Sequence, residues 1–289
     1  MGKRTGIQLF YPFEEKRLAK WSPPYIVQPK LDGERCRCLL ARGEAVMLSS
    51  EENVITSVPD IQAELKQFSR EVGWTYELDG ELYRHQMPFE DIHSIVGRTV
   101  NLNPDHGLME YHVFDLVDET LNQAQRLKKL GKLLAGRKNS RIKLVPLQMA
   151  WSLDEVRKAF DYFISLGYEG IIIRNFEAPY LRRRSTFGMK FKPKKSDLYP
   201  ITGFVEGHGK YSETIGAIIC ESDGQQFEVG SFSLTDERRK ELWFKRFELT
   251  KFNCKVGYQH RWSSGKPKSG VFLELVEKPK EVKFVNPLG

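Results

Sequence analysis

The chain is poor in cysteine. Four residues in 289 (Cys36, Cys38, Cys220 and Cys254) show no Cys-x-x-Cys spacing. This argues against a disulfide framework and against the common zinc-ligand patterns. Cys36 and Cys38 alternate along an apolar segment and read as one buried strand face. The sequence also has no run of about eighteen apolar residues, the length a membrane-spanning helix needs. Its first residues, Met1-Gly2-Lys3-Arg4-Thr5, lack the apolar stretch of a secretory signal. An intracellular, cytoplasmic protein with no membrane partner is expected. No repeat or low-complexity tract stands out.

What is present is a chain long enough for one large domain or two smaller ones, with 40% apolar residues to build cores. Its net charge of +7 favours a polyanionic partner. Residues 25–30 and 34–41 read as two strands around an Asp32-Gly33 turn, the pattern of a hairpin. Residues 57–72 read as a helix stopped by Gly73. Strands are expected at 74–83 and 111–117, and a helix at 121–134. Ser152 with Glu155 forms a capping box that opens a helix running to Leu166, and Gly167 stops it. Strands follow at 170–174 and 188–192. Lys192-Pro193-Lys194-Lys195-Ser196-Asp197 then reads as a charged hinge. Beyond it, strands at 201–206, 215–222, 226–231, 255–260 and 271–277 with one helix at 236–247 suggest a small OB-type barrel. The expected fold is α+β: antiparallel sheets and helices over residues 1–196, then an all-β barrel over 197–289.

Lys30-Leu31-Asp32-Gly33-Glu34-Arg35 sets a lysine at the end of an apolar segment with an arginine on the following arm. A lysine nucleophile must lose its proton inside its site, which burial beside Arg35 and a metal ion would favour. A plain hairpin with a snorkelling lysine fits the same residues. In Glu77-Leu78-Asp79-Gly80-Glu81-Leu82 three acids share one strand face. Magnesium, or basic residues of facing strands, would neutralise them; a solvated acidic face is the plainer alternative. In Glu169-Gly170-Ile171-Ile172-Ile173-Arg174 an acid stands at the mouth of a buried strand, either as a metal-binding carboxylate or as a solvent-facing turn residue. Met189-Lys190-Phe191-Lys192 sets two lysines on one face, suited to bracketing phosphates or to guarding a sheet edge. Phe114 could stack on a base, although a lone strand Phe is more often core.

Taken in order, these segments resemble the covalent nucleotidyltransferases, and most closely the ATP-dependent DNA ligases. Lys30 to Arg35 matches the K-x-D-G-x-R of that family. Leu78-Asp79-Gly80-Glu81-Leu82, Phe114-Asp115, Glu169 to Arg174 and Lys190-Phe191-Lys192 match its further blocks, and Tyr180 and Arg184-Ser185 are also family-like. The resemblance covers most of the chain, since Gly203 to Gly230 is similar to the start of a ligase OB domain. It implies that Lys30 carries AMP, that Arg35 and Glu81 hold ribose or phosphate, and that Phe114 stacks on adenine with Gln28 near its edge. It further implies that Glu169, with Glu81, assists a metal, and that Lys190 and Lys192 hold the α-phosphate. The implied cofactors are ATP and magnesium (Mg2+), with Mn2+ as a substitute. The implied partner is nicked double-stranded DNA, met by a monomeric minimal ligase of the kind found in bacteriophages.

Departures are specific. Where the family has a Ser-Arg block, this chain reads Ser49-Ser50-Glu51-Glu52-Asn53. Its last block has lysines, with Val276 where an arginine would stand. Lys266 and Lys268 are therefore the candidates for pyrophosphate or DNA contact, together with Arg184. The short segment before Lys30 implies no separate N-terminal DNA-binding domain. The tight Asp223-Gly224 turn leaves no room for a long latch hairpin. Glu169-Gly170, where capping guanylyltransferases have Asp-Gly, favours a ligase over that relative, and the expected OB domain favours it over an RNA ligase. A non-catalytic OB-type nucleic-acid binder would not need Lys30, Glu81, Glu169 and Lys190 together.

Overall fold

The computed structural model describes residues 6–137, 140–193, 195–230, 234–258, 260–261, 265–268 and 270–278, with His260 and Lys268 described by backbone alone. It divides into two compact units, Met1–Lys192 and Pro193–Gly289. No described helix is long and apolar enough to cross a membrane.

The first unit holds two five-stranded sheets. Its strands are β1 (Leu9–Pro12), β2 (Tyr25–Lys30), β3 (Glu34–Ala41), β4 (Glu44–Leu48), β5 (Tyr76–Tyr83), β6 (Glu110–Leu116), β7 (Ile142–Leu144), β8 (Gln148–Ala150), β9 (Gly170–Asn175) and β10 (Arg184–Phe191). Its helices are α1 (Glu15–Leu18), α2 (Pro59–Val72), α3 (Phe89–Val96), α4 (Gln123–Leu133) and α5 (Leu153–Ser165). One sheet has the order β1-β10-β9-β2-β8 and the other β4-β3-β5-β6-β7. Pairing is antiparallel except for β1 with β10 and β6 with β7. One core, with Leu40, Met47, Ile61, Leu65, Phe68 and Leu78, lies under the second sheet and takes in α2, α3 and α4. Another, with Val27, Val156, Phe163, Ile171 and Met189, packs α5 on the first sheet.

The expected hairpin is not formed. β2 pairs with β8 and β9, whereas β3 pairs with β4 and β5. Leu31-Asp32-Gly33 is therefore a crossing from one sheet to the other. Gly33 is needed there for close approach, because a Cβ would lie 2.3 Å from the Leu82 carbonyl oxygen. The Ser152 box is half-formed: Ser152 Oγ accepts from the Glu155 amide, but the Glu155 carboxylate accepts from the amide of Trp151. Ser57 does not cap α2; its hydroxyl donates to the Val96 carbonyl.

The second unit comprises β11 (Lys195–Glu206), β12 (Ile215–Ser222), β13 (Gln225–Gly230), α6 (Asp236–Phe244), β14 (Phe252–Tyr258), β15 (His260–Arg261), β16 (Pro267–Lys268) and β17 (Val271–Glu277). β11-β12-β13-β17-β14 close into a barrel around Ile218, Cys220, Val229, Cys254 and Val256. Five strands with a helix between the third and fourth make the expected OB arrangement. Asp223 and Gly224 both take positive φ in the tight turn between β12 and β13. The helix is shorter than expected and gives way to a 3-10 turn, Arg246–Lys251. Lys194, in the expected hinge, lies outside the described residues. Lys195, Ser196 and Asp197 are already paired in the barrel, opposite Tyr258, Gly257 and Val256. The unit boundary thus precedes the expected one at residue 196.

Candidate active site

Lys30 ends β2, and Gly170, the first residue of β9, lies opposite it. Glu169 precedes Gly170, so strand register alone brings its carboxylate to the lysine. The Lys30 ammonium donates to Glu169 Oε2, and the Lys192 ammonium to Glu169 Oε1. The Glu169 side chain is 5% exposed. Burial would raise its pKa, but Lys30 and Lys192 outweigh burial and hold the carboxyl below its ordinary range. Lys190, on β10 opposite Ile172, has its pKa pushed down to about 8 by burial and by the charges of Lys30, Lys192, Arg184 and Arg35. Burial and Lys30 also lower Lys192. Two lysines thus share one carboxylate while a third, Lys190, feels their charge, a local excess of positive charge suited to a polyphosphate.

Arg35 leaves the sheet crossing on β3. Its Nε and Nη2 donate to Asp79 Oδ1 and Oδ2 at 2.6 and 2.5 Å, a bidentate fork. Asp79, 1% exposed, also accepts from the Tyr180 hydroxyl at 2.6 Å. Arg37 and Arg182 both donate to Glu77. Arginines therefore neutralise two of the three acids of β5. The third, Glu81, faces Arg35 across the strand pair. Burial raises its pKa to about 7 even though Arg35 and Lys30 pull it down. Arg37 also donates to Glu52, inside the block that lacks its arginine.

Deeper, a buried polar network supports these walls. Gln28 Oε1 accepts from Arg174 Nε at 2.8 Å, and Gln28 Nε2 donates to the Phe114 carbonyl at 3.1 Å. Asp115 accepts from Arg174 Nη1 at 3.2 Å and from Arg126 Nε at 2.9 Å, with both arginines almost fully buried. The guanidinium groups of Arg35 and Arg174 lie 4.6 and 5.3 Å from the Phe114 ring centre. A base stacking on Phe114 would have to share or displace one of these contacts.

A cavity of about 360 Å³ is lined by Gln28, Lys30, Arg35, Glu81, Phe114 and Lys190 among others. These are six of the residues singled out from the sequence. Glu169 joins them through its ion pair with Lys30, and Lys192 through its ion pair with Glu169. Arg184 does not line the cavity; it donates to the Phe10 carbonyl at 2.9 Å and is exposed at the start of β10. Ser50 does line it. Lys266 lies in the second unit, as does Lys268 in β16, whose side chain is outside the described residues. Gln8, Phe10 and Phe89 also line the cavity, and so does Arg174, whose only mark in the sequence is its place in a motif. An arginine ending a strand of three isoleucines was the available signal for Arg174. Nothing local marks Gln8 or Phe10.

Among the described residues, no group of three or more His, Cys, Asp or Glu is placed to hold a metal ion. Magnesium is usually held by one or two carboxylates together with substrate phosphates and needs no such group. Glu169 and Glu81 are the carboxylates at hand.

The known proteins to which this chain is similar include several DNA ligases. A DNA ligase of Haemophilus influenzae is 27% identical over 164 residues, covering 56% of this chain and 60% of that protein. A DNA ligase of Archaeoglobus fulgidus is 28% identical over 285 residues, covering 86% of this chain and 50% of that protein. This chain thus spans between half and three-fifths of the length of those relatives. A solved structure of a Lig E DNA ligase superposes with a TM-score of 0.75 at 21% identity, covering 93% of this chain and 98% of that one. The ATP-dependent ligase of bacteriophage T7 in complex with ATP superposes with a TM-score of 0.56 at 14% identity, covering 94% of this chain and 98% of that one. At these identities the superpositions speak for the fold. The family described as ATP dependent DNA ligase domain matches residues 11–192, more than half of the chain, and the protein belongs to that family.

Proposed function

We propose that this protein is an ATP-dependent DNA ligase that seals nicks in duplex DNA through a lysyl-AMP intermediate on Lys30. The observation that carries the proposal is the Lys30 ammonium, paired with Glu169 and facing a cavity that also presents Lys190, Arg35, Glu81 and Phe114. In this mechanism Lys30 Nζ, once deprotonated, attacks the α-phosphorus of ATP. The P–N bond forms as the bond to the bridging oxygen breaks, and pyrophosphate leaves. AMP then passes to the 5′-phosphate of a nick, and the 3′-hydroxyl displaces it. Lys190 and Lys192 neutralise charge on the transferred phosphate, which is most of what an enzyme of this chemistry must supply. Arg35 and Glu81 hold the ribose or a phosphate, and Gln28 lies at the base edge. Mg2+, with Mn2+ as a substitute, would be held by Glu169 and Glu81 together with ATP and would screen the phosphate charge.

The unit carrying Lys30 does the adenylation. In the barrel unit, Lys266 and Lys268 would contact pyrophosphate or DNA, as would Arg184 at the edge of β10. The partner is nicked double-stranded DNA, met by a monomer in the cytoplasm during replication, repair or recombination. The +7 charge supports a phosphate-tracking, salt-sensitive interaction. The test is intact-mass measurement after incubation with ATP and Mg2+. A gain of one AMP, lost again on adding nicked DNA with joining of the strands, is the expected result. No gain, in folded protein free of bound AMP, would overturn the assignment.

A further inference from the structure

Helix α5 ends in a Schellman motif. The Tyr168 amide donates to the Phe163 carbonyl and the Gly167 amide to the Ile164 carbonyl, with Gly167 at φ +87°. The carbonyl of the C-cap residue, Leu166, is then left for a partner from outside the helix. His85 supplies it: its Nε2 lies 3.0 Å from Leu166 O. His85 Nδ1 lies 2.8 Å from the Tyr83 hydroxyl. A carbonyl can only accept, so Nε2 carries a proton, and in the neutral ring Nδ1 accepts from the Tyr83 hydroxyl. The imidazole also lies against the Tyr168 ring, with centroids 4.6 Å apart.

These contacts join the end of β5, which lines the cavity with Glu81, to the turn before β9, which lines it with Ile172 and Arg174. Tyr83 ends β5, the strand that carries Asp79 and Glu81, and His85 lies two residues beyond it. Leu166 and Tyr168 stand in the turn that delivers Glu169 to Lys30. We propose that His85 is a positioning residue, a strut that fixes the α5–β9 turn against the end of β5 and so holds the Glu169 carboxylate on the Lys30 ammonium. It touches neither reacting atom. Its place in the ligation reaction rests on the function proposed above, but the strut itself can be read without that reaction.

The experiment measures the rate at which Lys30 is acetylated by dilute acetic anhydride, by peptide mass spectrometry. It uses the full chain shown by intact mass to carry no AMP, with neither nucleotide nor divalent cation present. Lys16, whose side chain is 84% exposed, serves as the internal standard. A lysine released from its carboxylate reacts faster. His85→Ala and His85→Phe should raise the Lys30 rate relative to Lys16 by about threefold or more, as expected for a disturbed coupling network. His85→Phe keeps a ring against Tyr168 but offers no N–H to Leu166. His85→Gln, whose amide can donate to Leu166, should return the rate toward wild type. If His85→Ala does not fold, His85→Phe and Tyr83→Phe carry the test. Unchanged Lys30 labelling in the folded variants overturns the strut, as does equal labelling in His85→Phe and His85→Gln. Failure of the wild-type protein to take up AMP would count against the ligase proposal and leave this measurement unaffected. If both hold, His85→Phe should lower kcat for AMP attachment while the KM for ATP stays nearly constant, because the side chain acts on the nucleophile's partner rather than on nucleotide contacts.

Discussion

Lys30 and Glu169 meet because β2 and β9 run antiparallel with Lys30 opposite Gly170, so the nucleophile candidate and its carboxylate come from residues far apart in sequence. The same carboxylate binds Lys192. Glu169→Gln would leave two ammonium groups facing a neutral amide. We expect it to destabilise the fold by on the order of 1–3 kcal/mol, less than for a fully buried pair because both lysines are partly exposed. AMP attachment should fall by more than about 10²-fold. Denaturant unfolding and single-turnover adenylation measure the two effects. Wild-type stability together with wild-type adenylation would contradict the role of the pair.

Arg35 binds Asp79 with two parallel hydrogen bonds and lies over Phe114. A lysine cannot reproduce that fork. Arg35→Lys should therefore cost about 1–3 kcal/mol of stability, since Asp79 is buried. It should also raise the KM for ATP about tenfold or more. An unchanged KM would remove Arg35 from the nucleotide site.

Gly33→Ala should be severe although Gly33 has no left-handed backbone. The added Cβ would lie 2.3 Å from the Leu82 carbonyl oxygen, so the crossing from β2 to β3 would have to shift. A displacement of about 1 Å at a reacting group can reduce the rate about 10²-fold. Adenylation should fall by at least about tenfold in a protein that still folds by circular dichroism. Normal adenylation would show that the crossing tolerates the shift.

The pH dependence has two signed components. Burial raises Glu81 to about 7 in the folded protein from an ordinary value of 4.5. Between these values the folded state binds more protons than the unfolded, so this group makes stability fall as pH rises from about 4.5 to 7. Glu81→Gln should therefore gain thermal stability relative to wild type at pH 8 compared with pH 5. A constant difference across that range would contradict the burial of the carboxyl. Lys190 runs the other way: its value of about 8 lies below the ordinary 10.5. The unfolded state binds more protons between those values, so its contribution to stability improves as pH rises through that window. Its charge is lost over the same window, so ATP affinity of the free protein should weaken above about pH 8. Lys190→Met should flatten that limb, and an unchanged limb would assign it to another group.

Much of this site was legible because its chemistry is written in short segments. Lys30 to Arg35, Glu81, Phe114, Glu169 and Lys190 each sit in a local pattern, and the structure brings them to one place. What sequence could not show is pairing between distant segments. Asp32-Gly33 looks like a hairpin because turn chemistry is local, whereas β2 and β3 belong to different sheets through partners at Ile171, Gly80 and Leu48 and their neighbours. β1 was missed because it is four residues long and ends in proline, yet Phe10 on it lines the cavity. The Asp115–Arg126–Arg174 network joins three segments, and although Arg174 ends a strand that reads as buried, nothing local names Asp115 as its partner. The barrel was easier, since its short alternating strands and the Asp223-Gly224 turn are local features.

The central claim is that Lys30 carries AMP. It is tested most directly by transfer of label from α-labelled ATP to the protein in Mg2+, with α-labelled GTP in parallel and Lys30→Ala beside wild type. The account predicts covalent label from ATP alone, discharged by nicked DNA with joining and absent in Lys30→Ala. Label that persists in Lys30→Ala, or that comes from GTP and not ATP, would contradict it.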